Sequence, residues 1–116
     1  MDIEGWRIRI DELDRGIVSL LSQRAHAAQE IGKLKRSTSM PIYEPNRERV
    51  IFENVRAANP GPLPDFELTH IYERIIDVMR SIQKEELIAG RPDGERTARG
   101  GLADGPDQPG ETGKKS

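Results

Sequence analysis

The chain has 116 residues, no cysteine, 18 Lys and Arg against 20 Asp and Glu, and only 4% aromatic residues. That length suits a single domain, and without cysteine there is no disulfide framework, thiol nucleophile or cysteine zinc cluster. A net charge of −2 argues against a general nucleic-acid binder, no apolar run approaches the roughly 18–20 residues of a membrane span, and the opening MDIEGWRIRIDELD is too charged for a signal peptide, so a cytoplasmic protein is expected.

From Ile3 to about Ser37 no proline interrupts a helical pattern. One seam runs Ile3, Ile10, Ile17, Arg24, Ile31 and a second runs Leu13, Leu20, Ala27, Leu34, each at intervals of seven. This is an a/d heptad pattern with arginine at one a position. Gly16 and Gly32 weaken the helix without having to break it. Such a helix is roughly 50 Å long, whereas a compact chain of this size is roughly 35 Å across. It therefore overhangs its own domain, and a partner chain is the economical cover. The expected architecture is all-α, a three-helix protomer with one long N-terminal helix in an intertwined homodimer. A monomer with a bent or frayed first helix is the alternative.

The second helix follows Pro41, with Pro45 in its first turn and Ile42, Val50, Ile51 and Val55 as apolar positions; Asn59-Pro60-Gly61-Pro62 ends it. The third runs from about Pro64 to Leu87 or Ile88, with Asp65 and Glu67 favourable near its N-terminus. Leu68, Tyr72, Ile75, Met79 and Ile82 form its apolar stripe, widened by Ile71 and Ile76. From Gly90 onward the chain holds seven of its eleven glycines and almost no apolar residues. Residues 90–116 read as a disordered polar tail and 1–89 as the folded domain. A docking peptide or the start of a linker is the other reading of the tail.

Several polar residues sit where apolar ones are expected. Arg24 interrupts the first seam, and an arginine on a buried face calls for an anion. Lys35 lies eleven residues on, on nearly the same face, about 16 Å away. Gln83 follows Met79 by one turn on the third helix. Arg47 and Glu48 sit in the first turns of the second helix, with Glu44 just before it. Each of these taken alone is commonly a solvated surface residue, and Gln83 could simply satisfy a backbone group. Their joint appearance on three helices favours a site. His26 and His70 read as surface residues, without a metal site, and no nucleophilic triad or phosphate loop is present.

Three stretches, IDELDRGIVSLLSQRAHAAQEIGKLK (10–35), PIYEPNRER (41–49) and ERIIDVMRSIQ (73–83), resemble the all-helical chorismate mutases, and the likeness covers about residues 3–88. That resemblance implies a three-helix protomer whose long first helices intertwine in a dimer. It implies that Arg24 and Arg47 bind substrate carboxylate and that Arg7 does so from across the dimer. Lys35 and Gln83 would face the ether oxygen whose bond breaks. Glu48 and Glu44 would address the substrate hydroxyl, with Glu48 also near the reacting framework. Arg7 lies 28 residues, or about 42 Å of helix, from Lys35, so one chain cannot bring both to a small site. Met79 departs from the small or hydroxyl residue that many members carry, which adds bulk to the pocket wall. Glutamate at position 44, where some relatives have aspartate, is a milder change.

The implied reaction is the Claisen rearrangement of chorismate to prephenate in phenylalanine and tyrosine biosynthesis. It is intramolecular and calls for no nucleophile, metal or cofactor. The catalytic set it implies is Lys35, Gln83, Glu48 and Arg24. Four cations (Arg7 from the partner, Arg24, Lys35, Arg47) against Glu44 and Glu48 suit a dicarboxylate. An isochorismate pyruvate lyase on the same fold is the nearest alternative. A non-catalytic regulatory or interaction dimer is the alternative of another class.

Overall fold

Asp2, in extended conformation, accepts a hydrogen bond from the Gly5 N–H through Oδ1 at 2.8 Å and so starts α1 (Ile3–Thr38). The helix stops at Ser39, whose left-handed backbone (φ 61°) brings its N–H onto Lys35 O at 2.9 Å. Pro41 bars any continuation. The computed structural model describes residues 1–89, and the tail expected from residue 90 lies outside the described residues.

Pro45 occupies the first turn of α2 (Pro45–Ala58), where its missing N–H costs nothing. Glu44 stands at the N-cap, but its carboxylate makes no cap bond there. Asn59 organises the turn that follows. Its Nδ2 donates to Leu63 O at 2.7 Å and to Asp65 Oδ1 at 2.8 Å, while its Oδ1 accepts from the Gly61 N–H at 3.0 Å. Gly61 has φ +76°, a conformation that favours glycine. α3 (Asp65–Ala89) begins with Asp65 and Glu67 in its first turn. The three helices fall where the sequence places them, and α1 ends one residue beyond Ser37.

α3 lies between the other two helices, packing on the C-terminal half of α1 and on α2. The described residues measure 57 × 31 × 20 Å with a radius of gyration of 17.1 Å, against about 12 Å for a compact unit of 89 residues. The 36 residues of α1 span about 54 Å and set the long axis. The expected overhang is therefore present.

The heptad seam is not this chain's own core. Ile3, Ile10, Leu13, Ile17, Leu20, Ile31 and Leu34 are each at least 43% exposed. α1 instead meets α3 through small residues, with Ala28, Gly32 and the stem of Lys35 buried and Leu21, Arg24 and Ala25 half-buried. On α3 the buried centre is Ile76 and Met79, so Ile76 is core rather than a flank of the stripe, and Ile71 is exposed.

Gly32 allows the close approach. A Cβ added there would lie 2.9 Å from Glu86 Cβ and 3.0 Å from both Cα and O of Gln83. Two of those atoms are backbone and cannot swing aside. Gly32→Ala is expected to push α3 away and cost about 1–3 kcal/mol, of which the better helix propensity of alanine returns at most about 1. A lower melting temperature in a thermal unfolding scan checks this. Gly16, with open space around it in this chain, carries no such constraint.

Candidate active site

The C-terminal turns of α1, the start of α2 and the second half of α3 enclose a cleft of about 360 Å³ including its mouth. Six of the seven residues singled out from the sequence line it: Arg24, Lys35, Glu44, Arg47, Glu48 and Gln83. The seventh, Arg7, does not. It lies far up α1 with an exposed side chain, 4.0 Å from Glu4.

Lys35 forms the back of the cleft and is 4% exposed. A buried ammonium needs its donors satisfied. Its Nζ donates to Glu44 Oε1 at 2.8 Å, Gln83 Oε1 at 3.0 Å and Ile42 O at 3.3 Å. One cation thus ties the end of α1 to the α1–α2 loop, to the start of α2 and to α3. This contact takes the Glu44 carboxylate that does not cap α2. Since Gln83 gives its carbonyl oxygen to Lys35, its amide N–H groups remain as donors towards the cleft.

Arg24 and Arg47 differ from Lys35. Neither has an ion pair or hydrogen bond among the described residues, and Arg24 is half-buried. The anion expected beside Arg24 is not supplied by the described part of this chain. Two unpaired guanidinium groups on one cleft form a ready site for carboxylates. Glu48, with a side chain 17% exposed, faces the same space from α2.

Sequence reasoning missed Arg80. It lines the cleft, with Nε 2.9 Å from Glu48 Oε2 and its guanidinium 5.3 Å from the centre of the Tyr43 ring. Its spacing of one turn before Gln83 was the available signal. Four cations, Arg24, Lys35, Arg47 and Arg80, face two carboxylates, Glu44 and Glu48, so one chain alone gives the cleft an excess of two positive charges. Arg80 thus supplies within one chain the fourth cation expected from a partner's Arg7. Met79, buried beside Ile51 and Ile76, forms part of the apolar wall.

His26 and His70 are exposed as expected, although His70 has neighbours in Glu67 (3.6 Å) and the edge of Phe66. Among the described residues no group of three or more His, Cys, Asp or Glu is placed to hold a metal, and no helix is long and apolar enough to cross a membrane.

A family model described as chorismate mutase type II matches residues 6–84. The chain is 37% identical over 92 residues to a bifunctional chorismate mutase/prephenate dehydratase of Aquifex aeolicus, covering 76% of this chain and 25% of that protein. It is 28% identical over 82 residues to a chorismate mutase of Methanocaldococcus jannaschii, covering 70% of this chain and 83% of the other. The solved chorismate mutase (form II) of Thermus thermophilus aligns with a TM-score of 0.69 at 33% identity, covering 71% of this chain and 93% of that one. The chain spans about a quarter of the length of the bifunctional relatives.

Proposed function

The chain belongs to the type II chorismate mutase family, and from that premise we propose that it converts chorismate to prephenate in a site completed by a second copy of itself. The observation that carries this reading is the pairing of two unpartnered arginines, Arg24 and Arg47, with the hydrogen-bonded Lys35–Gln83 wall of one cleft. A flexible dianion held by its carboxylates between the arginines is restricted to the folded conformer in which the reacting carbons meet. Lys35 Nζ and the Gln83 amide then face the ether oxygen as its bond breaks and negative charge grows there. Of the three acceptors on Lys35, Ile42 O at 3.3 Å is the longest and yields first. Glu48 and Glu44 accept from the substrate hydroxyl. An ordinary lower bound of about 10⁶-fold acceleration requires about 8 kcal/mol, within reach of conformer restriction together with a preorganised cation.

The pattern of burial supports the dimer. Ala28, Ile76 and Met79 are the buried apolar side chains among the described residues. Most of the large apolar side chains of α1 thus find no cover within a single chain. The exposed run Ile3, Trp6, Ile10, Leu13, Ile17, Leu20 repeats at three and four, which is the seam of a coiled coil. A partner helix on that seam buries it, and an antiparallel one carries Arg7 to the other chain's cleft.

Incubating the purified protein with chorismate, and separately with isochorismate, tests the activity. Prephenate from chorismate is expected. Salicylate and pyruvate from isochorismate would assign a lyase instead, and turnover of neither would leave a binding role.

Gln83 sets the pH behaviour. An amide donates at any working pH, but a glutamate beside Lys35 stays ionised near neutrality and cannot donate. Gln83→Glu is expected to be nearly inactive at pH 8 and to regain activity only as the pH falls below about 5. A pH profile of kcat checks it, and a variant equally active at pH 8 removes Gln83 from the ether-oxygen role.

A further inference from the structure

Arg80 is held from three sides. Its Nη2 donates to Asp77 Oδ1 at 3.0 Å, its guanidinium lies over the Tyr43 ring, and its Nε stands 2.9 Å from Glu48 Oε2. Nε is buried, and its N–H is not aligned on any acceptor, so the contact with Glu48 is an ion pair rather than a hydrogen bond. A rigid planar cation fixed at Asp77 and Tyr43 therefore acts on Glu48 through its charge at close range.

Arg24 and Arg47 line the same cleft without a partner, and Arg47 is the residue next to Glu48 in sequence. A Glu48 carboxylate without its own cation has two unpaired arginines within the cleft to turn to. Pairing with either one occupies a position that a substrate carboxylate needs and removes an acceptor from the hydroxyl.

We propose that Arg80 is a positioning residue for Glu48: it draws one carboxylate oxygen to the cleft wall, leaves the other free to accept from the substrate hydroxyl, and keeps Glu48 off Arg24 and Arg47. The inference rests on the chorismate mutase reading of the cleft. It goes further by giving a role to a residue outside the set implied by the resemblance. Tyr43 and Asp77 serve by holding Arg80, and neither lines the cleft.

The test is a double-mutant cycle on the full chain with chorismate as substrate, using wild type, Arg80→Met, Glu48→Gln and the double variant. Methionine keeps an unbranched stem for packing against Tyr43 and removes the charge. Arg80→Met is expected to lower kcat/KM by about 10- to 100-fold, with a rise in KM contributing because Glu48 then competes with substrate for the arginines. In the Glu48→Gln background the same change is expected to cost less than about threefold, since the group it acts through is already neutral. Equal losses in both backgrounds overturn the proposal, as does an Arg80→Met variant with wild-type KM and kcat. A wild-type protein without turnover instead refutes the mutase reading itself, which separates the two failures. Circular dichroism of each variant confirms folding. If Arg80→Met does not fold, Arg80→Gln takes its place in the cycle with the same expected and overturning outcomes.

Discussion

Arg24→Ala and Lys35→Ala are each expected to lower kcat/KM for chorismate by about 10²- to 10³-fold, the range for removing one preorganised cation or donor, but only the lysine variant is expected to lose stability as well. Arg24 is half-buried and has no protein partner among the described residues, so truncating it strands nothing. Its partial desolvation is a cost that alanine relieves. Lys35 is the reverse case. Its removal leaves Glu44 Oε1, Gln83 Oε1 and Ile42 O without their donor. Unsatisfied buried groups cost about 1–3 kcal/mol. The Glu44 side chain is 36% exposed and can recruit water, which moderates the loss. A fall of about 5–10 °C in melting temperature is expected for Lys35→Ala and none for Arg24→Ala. Steady-state kinetics beside thermal melts separate the two effects. Full activity in either variant removes that residue from the site, whereas a wild-type protein without turnover and a raised melting temperature for Arg24→Leu would together point to a non-catalytic helical dimer.

The same contrast shows what the sequence could and could not reveal. Large apolar residues at heptad spacing marked the outer seam of α1, because branched side chains dominate any hydrophobic period. The face that meets α3 is built from Ala25, Ala28 and Gly32, whose contribution is close approach rather than area, and a period of large residues cannot register it. The helix ends were legible through Pro41, Pro45 and the Asn59–Pro64 turn, where proline and glycine chemistry is local. Lys35 was legible through its eleven-residue spacing from Arg24 and Gln83 through its place one turn after Met79, and they meet at 3.0 Å across 48 positions of sequence. Arg80 was not, because its i,i+3 pair with Asp77 looks like ordinary surface charge until α2 and the α1–α2 loop bring Glu48 and Tyr43 to it.

Arg7→Ala and Lys35→Ala, each nearly inactive alone, are expected to restore about a quarter of wild-type activity when the two chains are unfolded together and refolded as a mixture. Random pairing makes about half of the dimers mixed. If Arg7 acts across the interface, one site of a mixed dimer takes Lys35 from the Arg7→Ala chain and Arg7 from its partner, and is intact. The other site carries both lesions. Half of the dimers with one of two sites restored amounts to about a quarter of full activity. If Arg7 acted within its own chain, every site in the mixture would carry one lesion and nothing would be regained. Different affinity tags on the two chains establish that mixed dimers have formed, so an absence of recovery rules out the cross-chain role. Geometry favours recovery. Arg7 stands 28 residues before Lys35 on a helix that runs unbroken from Ile3 to Thr38, its side chain 71% exposed with Glu4 beside it. The uncovered seam that begins at Ile3 and Trp6 is the surface on which the proposed second chain would pack, and Arg7 lies beside it on the helix.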